Sequence, residues 1–246
     1  MMLSPALVGA KPASGPALTA VRYSSDMGLT NASVTIPDSP LTLFSVWLNL
    51  DSIVNGGNTF VNFDYLNNEV PFLGIFNIGP GIQLQFGASF LTYVAATGAF
   101  PFDGNWHNLM FASDTNHAAG QKIFQLYLDD VPVSTTVSND GPAFSNPTNG
   151  QTFTISDGFQ QGAPITGEIF DYWLGCGQFL DLSVTANRRK FIDGSGKPMA
   201  LGTDGELPTG TSPAVFCHGN ASTFATNQGT GGAFTLTGTL TDAAGP

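Results

Sequence analysis

Charge is what this chain has least of. Charged residues make up 10% of its 246 positions, and only seven are Lys or Arg. Three of those seven are consecutive, Arg188, Arg189 and Lys190. A surface that neutralises nucleic-acid phosphates needs several spread cations, so DNA and RNA are disfavoured as partners. The formal net charge of −11 suits an abundant protein that must stay soluble. Glu69, Glu168 and Glu206 are the full set of glutamates, which argues against long helices. Cysteine occurs twice, at Cys176 and Cys217, too few for a disulfide framework. Both lie in apolar or glycine-rich runs and read as buried thiols, with a bridge left open if their strand ends meet. No apolar run approaches the ~18 residues of a membrane helix. The apolar patch MMLSPALVGA has no basic residues before it and is interrupted by Pro5, so no signal peptide is expected. The protein is expected to be cytosolic in synthesis, so that something other than secretion would carry it out of a cell. No phosphate loop, dinucleotide fingerprint, G-x-S-x-G elbow or metal-ligand spacing is present.

Thirty Gly and twenty Phe, with many Thr, Ser and Asn, fit short strands joined by turns. Leu41 to Asp51 alternates, with Leu43, Ser45, Trp47 and Asn49 against Phe44, Val46, Leu48 and Leu50. Asn55 to Asn58 and Gly79-Pro80-Gly81 are turn signals. Asn105 to Ser113 and Lys122 to Leu128 read as a hairpin. About twelve strands result, near ten residues apart, which predicts an antiparallel sandwich. Ile165 to Leu174 is the strand on which the rest depends. Alternation puts Glu168, Phe170 and Tyr172 on one face, and Ile169, Asp171 and Trp173 on the other. Ser183 is the expected N-cap of a short helix of two turns, with the cationic trio in its last turn, where it suits the dipole, and Gly194 as its stop. Residues 1–20, with Pro5, Pro12 and Pro16, read as an extended arm. Residues 21–192 form the sandwich. Residues 193–246 form a Gly/Thr-rich extension on the sandwich or on a neighbouring subunit, with a strand over 233–240.

Four segments, in order, resemble concanavalin A-like or laminin-G-like jelly-roll domains. They are Phe44-Ser45-Val46-Trp47, Trp106-His107, Leu126-Tyr127-Leu128-Asp129-Asp130, and Gly167-Glu168-Ile169-Phe170-Asp171 followed by Leu182-Ser183. Asp130 stands where the family usually has glycine. The resemblance implies an all-β, two-sheet jelly-roll sandwich with one short helix. The tail, with LGTDGELPTG and NQGTGGAFTLTG, is similar to jelly-roll proteins among tailed-phage and prophage structural proteins.

Jelly rolls of this kind include glycoside hydrolases, which need two carboxyls facing one bond. The nearest pair, Glu168 and Asp171, is expected on opposite faces, so no enzyme is expected. The expected function is a non-catalytic virion module (fibre, spike or decoration) that binds host-surface glycan. A purely structural capsid or tail protein is the second reading and a glycosidase the third. Glycan recognition needs planar polar groups and an aromatic face, and the loops offer Asn55, Asn58, Tyr65, Asp114, Asn116, Asp157 and Phe159. Ca²⁺ is compatible with loop oxygens at Asp51, Asn55, Asn58, Asp114, Asn116 and Asp157, but their spacing matches no calcium loop; no other cofactor is expected. Expected partners are capsid, portal or tail proteins and further copies of this chain.

Overall fold

A computed structural model describes residues 18–24, 27–52, 57–65, 68–76, 81–86, 92–96, 100–138, 141–143, 145, 148–156 and 166–246, with backbone alone over 57–96. The strands in chain order are β1 (Thr19–Tyr23), β2 (Gly28–Asn31), β3 (Leu41–Leu50), β4 (Gly57–Tyr65), β5 (Asn68–Phe76), β6 (Gly81–Phe86), β7 (Thr92–Ala96), β8 (His107–Asp114), β9 (Ile123–Leu128), β10 (Val131–Pro132), β11 (Thr135–Ser138), β12 (Thr152–Ile155), β13 (Gly167–Cys176), β14 (Val215–Cys217), β15 (Thr235–Thr237) and β16 (Thr241–Ala244), with one helix, α1 (Thr185–Arg188). They form two antiparallel sheets. The first runs β10-β9-β8-β3-β13-β1-β16, with β14 beside β13 beyond the end of β1. The second runs β11-β7-β6-β5-β4-β12-β2-β15. This is the expected two-sheet jelly roll.

The central strands of the first sheet, β3, β8 and β13, are buried on both faces. Its inner side chains, among them Phe44, Val46, Leu109, Phe111, Ile169 and Tyr172, join Leu29, Phe153 and Ile155 of the second sheet in one core. Its outer side chains, Leu43, Trp47, Met110, Phe170 and Trp173, form another core with Leu182, Phe191, Ile192 and Leu201. β3 accordingly carries apolar side chains on both faces, Phe44, Val46 and Leu48 inward and Leu43 and Trp47 outward, as a strand covered on two sides requires. Trp47 is buried, as its strand pattern predicts. Trp106 is only partly buried, at the margin of the outer core. Thr19 and Ala20 belong to β1 rather than to an arm, and residues 1–17 lie outside the described residues. The tail strand is shorter than 233–240. β15 pairs with β2, the chain crosses sheets at Gly238 to Leu240, and β16 then pairs with β1.

Two local expectations are corrected. β13 does not alternate throughout. Its pairing with β3 passes from Phe170↔Trp47 to Trp173↔Ser45, so Asp171 and Tyr172 together face Val46. This is a β-bulge, with Asp171 at φ 49, a left-handed position usually given to glycine. The extra residue shifts the phase by one. Glu168 is paired with Arg22 on the outer face, Phe170 and Trp173 join the outer core, and Asp171 opens to that side as well. Glu168 and Asp171 therefore share a face. The second correction concerns the helix, which is one turn from Thr185 to Arg188 and has Val184 as N-cap with no side-chain bond. The Ser183 hydroxyl donates instead to Asp181 at 2.6 Å, and the chain leaves the helix to bury Phe191 and Ile192. The cations do not serve a dipole: Arg188 and Arg189 pair with Asp130, and Lys190 Nζ donates to the Pro208 carbonyl at 2.7 Å.

Gly167 has a specific cause. A Cβ there would lie 2.4 Å from the Asn49 carbonyl oxygen, so only glycine lets β13 start this close to β3.

His107 opens β8 between two carboxylates, with Nδ1 2.6 Å from Asp129 and Nε2 3.0 Å from Asp103. Burial opposes its charge, but the hydrogen bonds to Asp129 and Asp103 outweigh burial and raise its pKa. In return the His107 hydrogen bond, helped by the Asn105 amide, lowers Asp103 to about 2. A raised histidine stabilises the fold fully below its unfolded value, ~6.5, and loses that contribution as pH rises through the folded value. Wild type should therefore melt above His107→Gln at pH 5.5, and by roughly 2–4 °C less at pH 9. An equal difference at both pH values would count against the charged pairing.

Candidate functional site

The binding residues expected from the sequence do not gather at one place. Asn58 and Tyr65 are in β4, seven residues apart, or roughly 23 Å at ~3.3 Å per residue. Asp114 is paired with Leu41, where β3 begins. Asn58 is near the start of β4, which follows the other end of β3. Asn58 thus lies at the opposite end of the sandwich from Asp114 and Asn116. The latter two are local: the Asn116 amide donates to Asp114 at 2.9 Å, and His117 Nε2 lies 3.1 Å from the same carboxylate. Asn55, Asp157 and Phe159 lie outside the described residues, as do the side chains of Asn58 and Tyr65. Of the other oxygens weighed for Ca²⁺, Asp51 is paired with Arg22. Among the described residues no group of three or more His, Cys, Asp or Glu is placed to hold a metal ion.

The site the structure does build is on the outer face of the first sheet. The bulge turns Asp171 outward, where it is bonded by His218 Nδ1. His218 follows β14, which β13 holds through Tyr172↔Cys217. The two residues are 47 apart in sequence. The Asp171 side chain is 6% exposed and that of His218 44%. The imidazole stacks on Phe216, with centroids 5.5 Å apart and planes at 14°, and meets Phe170 edge-on. Gln228 Nε2 donates to the His218 carbonyl at 3.1 Å, fixing the backbone behind the ring. In front lies a cleft of about 510 Å³, the size of a small-ligand site. Phe170, Phe216, Asp171 and His218 line its sheet side, Leu18 one edge, and the segment from Pro198 to Thr203 with Leu207 the opposite wall.

The electrostatics follow from this burial. Desolvation pushes the Asp171 carboxyl up, against the hydrogen bond from His218. The bond to Asp171 raises His218, against partial burial. With Asp171 ionised, Nδ1 must carry the proton that it donates, which fixes the tautomer. Nε2 then accepts when the ring is neutral and donates when it is charged. The pair offers one oriented hydrogen-bonding group at the base of a mainly apolar cleft. Glu168 is not part of this cleft. It accepts from Asn49 Nδ2 at 3.1 Å and pairs with Arg22. The thiols take no part: Cys176 and Cys217 are free, and burial pushes Cys176 up to about 12.

The sequence showed Asp171 as a carboxylate and His218 as an isolated histidine. Nothing in their spacing joined them. The one local signal is an aspartate within an apolar run, Ile169-Phe170-Asp171-Tyr172-Trp173-Leu174, where a central strand has no use for a charge unless it is partnered.

No family model matches this chain, and no curated protein matches it. Solved structures do. A native heptameric SAP-like pentraxin from Limulus polyphemus is 12% identical, over 92% of this chain and 95% of its own, with a TM-score of 0.58. A putative carbohydrate binding protein from Bacteroides ovatus is 14% identical, over 93% of this chain, with a TM-score of 0.61. The present chain spans 60% of the length of that second protein. At these identities the likeness establishes architecture, and that architecture is the concanavalin A-like jelly roll.

Proposed function

We propose that this protein is a non-catalytic glycan-binding module of a phage-type virion, and that it takes its ligand in the Asp171–His218 cleft. The carrying observation is the cleft's sheet side. A half-exposed imidazole backed by Phe216 offers a flat face for sugar C–H groups, and Asp171 fixes the polar atom beside it. A fold shared with a putative carbohydrate binding protein is consistent with this reading. The virion setting rests on the similarity of the glycine-rich tail to phage structural proteins. Capsid, portal or tail proteins and further copies of this chain are the partners it implies. Non-catalysis rests on the carboxyls: Glu168 is tied to Arg22 and Asn49, Asp171 to His218, and only Asp171 lines the cleft. The purified chain should be retained on immobilised bacterial surface polysaccharide without releasing reducing ends. Retention should fall at least tenfold in His218→Ala. Retention unchanged in that variant would overturn the site, and sugar release lost in Glu168→Gln would overturn non-catalysis.

A further inference from the structure

We infer that the sugar accepted by this cleft is an N-acetylated amino sugar, an inference that rests on the glycan-binding reading above. The cleft has two unlike sides. One offers His218 and Asp171. The other is mainly apolar and open to solvent: Met199 is 38% exposed and Leu207 59%, beside buried Leu201, and Leu18 at the edge is 40% exposed. These are three of the six large hydrophobic side chains found exposed among the described residues, and all three border one cleft.

A plain hexose fits this arrangement poorly. It carries hydroxyls around most of its ring, and any hydroxyl pressed against Met199 or Leu207 gives up water without a partner. Thr203 is the one side-chain hydroxyl on that wall. An acetamido substituent eases the mismatch, because it replaces a hydroxyl with a group that ends in a methyl, while its N–H and C=O can stay toward the open mouth of the cleft and its water. The methyl can lie against Met199, Leu201 and Leu207 while a neighbouring ring hydroxyl reaches His218 Nε2. The segment that carries the wall is built firmly. The Leu207 amide donates to the Leu201 carbonyl at 3.0 Å, the Met199 amide to the Phe191 carbonyl at 3.1 Å, and Trp173 Nε1 to the Gly205 carbonyl at 2.7 Å. Gly202 turns the segment at φ 97, a conformation that L side chains rarely adopt. The apolar side chains are therefore held at the cleft rather than displayed on a loose loop.

The test is saturation-transfer NMR and calorimetry on the full chain with the methyl glycosides of N-acetylglucosamine, N-acetylgalactosamine, glucosamine, glucose and galactose. At least one N-acetyl sugar should bind tenfold or more tightly than its hydroxyl counterpart, with its acetyl methyl the most strongly saturated group. Leu207→Asp changes an exposed side chain and should leave the melting temperature unchanged, while it reduces the N-acetyl preference to below threefold. Equal affinity for the N-acetyl and plain sugars would overturn this inference and leave glycan binding standing. Binding of none of the five would overturn this inference, and loss of retention on the polysaccharide as well would overturn glycan binding with it. A preference that survives Leu207→Asp together with Met199→Gln would place the acetyl group elsewhere and overturn the assignment.

Discussion

Replacing Trp173 by alanine is expected to cost about 3–5 kcal/mol in a urea titration, the range for emptying a large aromatic site. Trp173 is fully buried on the outer face of β13 and meets Phe191 edge-on at 5.3 Å. Its indole N–H donates to the Gly205 carbonyl. One side chain thus ties the first sheet to the layer that carries the wall of the cleft. Gly175 takes part in the same packing, since a Cβ there would come within 2.7 Å of the Trp173 ring. Trp173→Phe separates the two contributions. It keeps most of the ring contact and leaves the Gly205 carbonyl without its donor, a loss of about 1–3 kcal/mol. Amides of 199–207 should exchange faster in both variants. A loss below about 1 kcal/mol for Trp173→Ala would show that the outer layer does not depend on this anchor.

The sandwich was legible because its signals are local. Alternation in β3, turn residues between strands and four ordered motifs each report on a few neighbouring positions, and all agreed. The phase of β13 was not legible. Period-two reasoning is sound until a bulge adds one residue, and the bulge here is made by Asp171 at φ 49 rather than by glycine, whose presence would have marked it. The face assigned to Asp171 changed with that single residue, and so did the argument drawn from it about Glu168. The short helix failed for a related reason. Ser183 has the chemistry of a cap, but Asp181, two residues away, takes its hydroxyl. The cleft was beyond local reading altogether. It needs β14 laid beside β13 to bring His218 to Asp171, and that pairing has no marker in either segment.

Asp171 is not the only aspartate where glycine would be easier. Asp129 and Asp130 form the turn between β9 and β10, at φ 51 and 66. Two left-handed residues are what a tight hairpin of this type demands, and its usual second residue is glycine. What keeps aspartate at each place is its carboxylate. Asp129 accepts from the Asn108 amide at 2.8 Å and holds His107. Asp130 pairs with Arg188 and Arg189. Arg188 is buried, lies 4.5 Å above the Tyr127 ring, and also donates to the carbonyls of Leu182 and Ser183.

Asp130→Ala is therefore expected to destabilise the protein by about 3–5 kcal/mol, because it leaves a buried guanidinium without its counter-charge. Asp130→Gly loses the same pairing but relieves a left-handed backbone, worth ~1–2 kcal/mol, and should be the milder change by about that amount. The two effects compete, and the ion pair wins, so glycine at this turn should still be less stable than aspartate. The pH dependence gives a second check. Burial works against the Asp130 charge, but the hydrogen bonds to Arg188 and Arg189 outweigh it and lower its pKa. A lowered carboxyl contributes fully above its unfolded value, ~3.9, and loses that contribution as pH falls through the folded value. The gap between wild type and Asp130→Gly, measured by denaturant titration, should be full at pH 6 and narrow below pH 4. A glycine variant at least as stable as wild type at pH 6 would mean that the turn, and not the arginines, decides which residue belongs at position 130.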